Sequence, residues 1–159
     1  MVNLLFMAVM YSSEDLFDSA RFDLIEKYGD LRSESDPYDF NFTKYYEKEM
    51  GKNLKKKFLI FKKEVSKEDL ESVKFFITEI EEKLAINGNR KVNIDPGYLS
   101  SKELILATWK GKDFKEKISE KVWVHKVLEF DGNEVVEFFH TFADYKVKEN
   151  QKFILGNKP

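Results

Sequence analysis

Residues 57–84, KFLIFKKEVSKEDLESVKFFITEIEEKL, contain the two clearest elements of the chain, and the fold is read outward from them. Phe58, Leu59, Ile60 and Phe61 run unbroken between Lys57 and Lys62, the pattern of a buried strand with charged ends. Ser66 and Asp69 then stand at capping-box spacing before Leu70, Val73, Ile77, Ile80 and Leu84. Their 3,4,3,4 spacing makes one apolar stripe that closes at Asn87-Gly88, so this helix must lie on a sheet or on another helix.

Upstream, Met1 to Tyr11 is apolar and reads as a buried strand. Ser12 and Asp15 precede a second helical pattern of Leu16, Phe17, Ala20, Leu24, Ile25 and Tyr28 before Gly29. Asp30 to Phe42 contains Pro37 and alternates loosely, as an edge strand does, and Thr43 to Leu54 reads as a short helix and turn near Gly51. Downstream, Lys91 to Asp95 reads as a short strand stopped by Pro96-Gly97. Ser100 and Glu103 then cap an expected brief helix through Leu104, Leu106 and Ala107. Val122 to Phe130 and Glu134 to Phe142 flank Asp131-Gly132-Asn133, a hairpin signal.

The order strand, helix, strand, strand, helix, strand predicts an α+β fold, a ferredoxin-like split βαβ sheet with a C-terminal helix and β-hairpin extension. Right-handed crossovers put both long helices on one face and leave the other face open or covered by the extension. The 159 residues are expected to form a single domain, 1–159. With 27 basic against 29 acidic side chains the chain is not a general nucleic-acid coat, and without cysteine it needs no oxidising compartment. The apolar start lacks a basic lead and is too short to span a bilayer. A cytoplasmic protein without a membrane segment is therefore expected.

Three stretches carry candidate chemistry. Asn93 and Asp95, placed by Pro96-Gly97 near the amides around Ser101, suit a hydrogen-bonded ligand or a cation, although Asp before Pro-Gly is more commonly a turn cap. Residues 35–51 gather aromatics, hydroxyls and acids in an irregular segment that equally well fills a core. Residues 44–63 carry eight lysines against Glu47 and Glu49, which suits phosphates or, more simply, a guarded sheet edge; the lack of arginine disfavours nucleic acid. His140 lies three residues after Glu137, a single copy of a unit that binds iron in pairs, so no metal set is expected. No Gly-x-x-x-x-Gly-Lys-Ser/Thr, Gly-x-Gly-x-x-Gly or Gly-x-Ser-x-Gly occurs, which excludes a Walker-type NTPase and leaves a serine nucleophile without support. No cofactor is named by any motif.

Asn93-Ile94-Asp95-Pro96-Gly97-Tyr98-Leu99, with Phe42-Thr43-Lys44-Tyr45-Tyr46-Glu47-Lys48-Glu49-Met50-Gly51, resembles an uncharacterised prokaryotic family of the domain-of-unknown-function series. Some of its members carry the label "GTP-binding protein". Leu106-Ala107-Thr108, Lys110 and Thr141-Phe142-Ala143-Asp144-Tyr145-Lys146 extend the resemblance over nearly the whole chain. The chain departs from the family pattern at Asn41, Lys44, Phe114 and His125, and no phosphate-cradling loop accompanies the label.

The resemblance singles out Thr43, Tyr45, Tyr46, Glu49, Asn93, Asp95, Tyr98, Lys110, Thr141, Asp144 and Tyr145 as ligand-binding candidates. Brought together from four segments, such groups suit a pocket for a small polar ligand, with Asp95 and Tyr98 as catalytic candidates. The expectation is a protein of unknown activity that binds a small anionic or nucleotide-like ligand around Asp95. The alternative is a non-enzymatic protein- or RNA-interaction module using the sheet face and the Lys/Tyr-rich segment 43–63, or a homodimer that buries that face.

Overall fold

The computed structural model describes residues 1–112 and 114–159. Its elements are β1 (Leu4–Tyr11), α1 (Glu14–Tyr28), β2 (Leu31–Glu34), β3 (Tyr38–Asp39), α2 (Glu47–Met50), β4 (Lys55–Glu64), α3 (Leu70–Lys83), β5 (Val92–Leu99), β6 (Glu103–Thr108), β7 (Glu116–Lys117), β8 (Trp123–Asp131), β9 (Glu134–Glu137), a 3-10 turn (Ala143–Lys146) and α4 (Lys148–Gly156). The fold is mixed α+β around one open antiparallel sheet. The path through it is β2-β4-β1-β5-β6-β8-β7, with β3 beside β4 and β9 beside β8.

In the first half, β4 is inserted between β1 and β2, and β1 lies between β4 and β5. That order is compatible with the ferredoxin-like split. The cause is the alternation of β1: Leu5, Met7, Val9 and Tyr11 face the helices, while Leu4, Phe6 and Ala8 face the other way. Phe17, Ala20 and Leu24 of α1 and Leu70, Val73, Ile77 and Ile80 of α3 cover the first face together. The second face is covered at β4, β6 and β8 by Tyr145 and Ile154 from the C-terminal segment, with Phe153 packed alongside.

Local signals act mostly where the sequence places them. Ser66 and Asp69 exchange reciprocal bonds, the Ser66 amide donating to Asp69 Oδ2 (2.8 Å) and the Asp69 amide to Ser66 Oγ (3.2 Å). For α1 the cap is Ser13, one residue later than expected, because its hydroxyl accepts from the Leu16 amide (3.4 Å). Gly132 takes φ 61° in the turn between β8 and β9, the positive value that the Asp-Gly signal anticipates. β9 stops at Glu137, well short of the expected Phe142, where Thr141 folds back on the Phe138 amide (2.8 Å).

Two expectations are overturned. Pro96-Gly97 does not stop a strand: β5 runs through both residues, pairing Val92–Leu99 with β1 over its full length. Pro96 is tolerated because pairing with β6 begins only at Gly97, so its missing N–H interrupts no ladder. The expected helix after Ser100 is strand β6. Ser100 caps a tight hairpin, its Oγ accepting from the Lys102 and Glu103 amides (3.2 and 3.1 Å), and Leu104 to Ala107 are buried on both faces. No helix among the described residues is long and apolar enough to cross a membrane.

Candidate ligand pocket at the β5–β6 fork

β5 and β6 are bonded only over Gly97–Leu99 and Leu104–Leu106, then diverge. At the fork a Cβ on Gly97 would sit 1.8 Å from the Ile105 carbonyl oxygen, so only glycine lets the strands approach. Beyond it the Ile94 amide has no strand partner and donates instead to Glu81 Oε2 of α3 (2.7 Å). The gap between the strands opens into a cavity of about 510 Å³. Asn93 and Asp95 form one wall, Leu106 to Lys110 another, the aromatic segment Phe40 to Tyr46 a third, and Phe142 to Asp144 closes it from the C-terminal side.

The walls are rigidly supported. Arg90 binds Glu49 through both its Nε and an Nη (3.0 Å each) and donates to Asn93 Oδ1 (2.7 Å), while Asn93 donates to Asp95 Oδ2 (3.3 Å). This relay fixes the Asp95 carboxylate toward the cavity. Opposite, Lys56 donates to Asp144 Oδ2 (2.7 Å), which also accepts from the Tyr38 hydroxyl (2.6 Å). Burial and the nearby Asp95 push the Tyr46 phenol up to about 12, so it is a neutral hydrogen-bonding group at neutral pH.

Among the described residues, the lining carries five basic side chains (Lys56, Lys74, Arg90, Lys110 and Lys115) and the carboxylates Asp95 and Asp144. Lys110 lies 5.9 Å from the Tyr45 ring centroid and Lys74 5.5 Å from that of Trp109. Lys115 is held below its usual range by burial and by the charges of Lys112 and Lys110. His125 sits deeper, 2% exposed, with neither ring nitrogen hydrogen-bonded to the described residues. Burial, then the charges of His140 and Lys115, lower its pKa to about 4 against an opposing His140 backbone contribution.

Of the residues singled out from sequence, the fold brings Thr43, Tyr45, Tyr46, Asn93, Asp95, Lys110 and Asp144 to one cavity. Glu49 stands behind it as the anchor of Arg90. The remaining three lie elsewhere. Tyr98 is on the helix face of β5, its hydroxyl donating to Glu103 (2.8 Å), and it does not line the cavity that Asp95 lines. Thr141 is spent on the Val127 carbonyl (2.6 Å), and Tyr145 is wholly buried, 5.4 Å from Phe58. The helix amides expected near Asp95 around Ser101 are not formed, since residues 103–108 are a strand.

Lys74, Arg90, Trp109 and Lys115 are absent from the sequence reading, and Lys56 and His125 enter it only within the lysine-rich segment and as a departure from the family pattern. For Lys74 a signal exists: it falls four residues after Leu70 and three before Ile77, inside the apolar stripe where a lysine is out of place. A family model described as a domain of unknown function (DUF4416) matches residues 1–157. No curated protein and no solved structure matches the chain.

Proposed function

We propose, for a chain that belongs to the DUF4416 family, that the β5–β6 fork binds a small anionic, nucleotide-like molecule. The observation that carries this reading is the pairing of a basic excess with aromatic walls in one supported cavity. Phe40, Phe42, Tyr45 and Trp109 offer faces for a planar group, and the lysines offer charge for an anionic one. Asp95, oriented by Asn93, is placed to accept hydrogen bonds from the ligand's hydroxyl or amino groups.

The lysines of β4 support the same reading against an RNA-docking surface. Lys55, Lys56 and Lys57 are already paired with Asp39, Asp144 and Glu34, so a phosphate backbone would have to displace carboxylates.

The test is a thermal-shift screen of purified protein against nucleosides, nucleotides and sugar phosphates. Selective ligands raise the melting temperature because they bind only the native state. Asp95→Asn, which keeps the shape and the Asn93 contact, is expected to abolish the shift while leaving the unliganded melting temperature nearly unchanged. A ligand response indifferent to Asp95→Asn refutes the assignment. Affinity that falls steeply with salt and follows Lys55 to Lys57 substitution would support the docking module instead.

A further inference from the structure

The five cations of the described lining divide by whether a carboxylate already pairs with them. Arg90 is satisfied by Glu49, and Lys56 by Asp144. Lys74, Lys110 and Lys115 have no carboxylate within ion-pair distance among the described residues. Asp95 opposes them, and Glu81, whose carboxyl feels the Lys74 charge, lies beyond ion-pair distance of it, so the described lining keeps a positive excess. Lys74 is the most telling because it is only 8% exposed. A buried ammonium normally recruits a counter-ion, yet this one rests against the Trp109 ring, an interaction weaker than a carboxylate or phosphate supplies.

Lys74 reaches this place because of the fork. It belongs to α3 on the first face of the sheet, and only where β5 and β6 part can its side chain line a cavity shared with Asp95. The cation is therefore presented from beneath the sheet, while Lys110 follows the end of β6 and Lys115 lies against it, donating to the Lys110 carbonyl (3.1 Å).

We infer that the anionic group of the ligand is a phosphate-type dianion seated in the fork against Lys74, with Lys110 and Lys115 meeting it from the β6 side. This rests on reading the fork as a ligand pocket and adds the class of anion. A carboxylate brings a single charge and leaves the lining unbalanced, whereas a phosphomonoester brings nearly two at neutral pH. Lysines, as point charges on flexible stems, suit a tetrahedral anion without the fixed fork geometry that arginine imposes.

Inorganic pyrophosphate is the probe, titrated into the whole protein by calorimetry and followed by the Trp109 indole signal in a proton–nitrogen spectrum. The expected result is saturable binding with an indole shift that acetate at equal ionic strength does not reproduce. Lys74→Met, which keeps the apolar stem, weakens binding by at least about tenfold (1.4 kcal/mol), and Lys74→Arg restores much of it. If Lys74→Met does not fold, the wild-type indole response decides. Binding unchanged in folded Lys74→Met, or an indole shift that acetate matches, overturns the inference. An Asp95-dependent thermal shift from a ligand without phosphate, indifferent to Lys74→Met, removes the phosphate and keeps the pocket. Silence in both experiments removes both.

Discussion

At the scale of single residues, two buried titratable groups beside the pocket drive stability in opposite directions with pH. Glu81 is raised to about 7, first by burial, against the Ile94 amide and the charges of Lys74 and Arg90 that lower it. Its neutral form is favoured in the fold, so its contribution is full below the unfolded carboxyl range near 4.5 and is lost as pH rises toward 7. His125, lowered to about 4 by burial, is favoured neutral, so its contribution is full above 6.5 and is lost as pH falls. The two slopes oppose each other between pH 4.5 and 6.5. Urea unfolding of Glu81→Gln is expected to show a gain over the wild type that grows from pH 4.5 to 7. The gain of His125→Leu should instead grow from pH 6.5 down to 4. Each approaches the order of 3 kcal/mol, at 1.36 kcal/mol per unit displaced. Parallel pH profiles for either variant and the wild type would contradict the assignment.

At the scale of elements, Gly97 decides whether β5 and β6 zip together and then part. Gly97→Ala drives a methyl into the Ile105 carbonyl at 1.8 Å, backbone that cannot rotate away, and is expected to cost more than about 3 kcal/mol in denaturant unfolding. Gly132→Ala, whose added methyl meets nothing within 4 Å, should cost only about 1 kcal/mol for its positive φ. The same pair of strands explains what could and could not be read from the sequence. Periodicity found α1, α3, β1, β4 and the β8–β9 hairpin because each carries its own pattern. It misread residues 96–108 because Pro-Gly and Ser-x-x-Glu are also turn and helix signals. Here the neighbour strand, absent at Pro96 and pressed against Gly97, settles the matter. Asp95 and the tyrosine segment were legible through motif resemblance. Lys74 was legible only as a lysine out of place in the apolar stripe of α3, since its role depends on a gap between strands that no local pattern records.

Across the whole molecule, Asp144 ties the C-terminal segment to the sheet from inside an apolar seal. Asp144 accepts from Lys56 and Tyr38, both on the early half of the chain, while Tyr145 and Ile154 cover Phe58 and Ile60 around it. Lys56 and Asp144 are 7% and 4% exposed at their side chains, so their attraction acts against a large desolvation cost. Removing one partner is then worse than removing both. Asp144→Ala strands a buried ammonium and is expected to cost about 3–5 kcal/mol. Lys56→Met combined with Asp144→Leu should recover most of that loss, although the Tyr38 hydroxyl is left to find water. Chemical denaturation of Lys56→Met, Asp144→Leu and the double variant closes the cycle and gives the coupling directly. Additive losses would mean that the ion pair contributes nothing as a pair and that the segment is held by its other contacts, Tyr145 and Ile154 in the seal and Gln151 on Glu137. Coupling of several kcal/mol would mean that the ion pair fixes how the last twenty or so residues dock, and with them the Phe142 to Asp144 wall of the pocket.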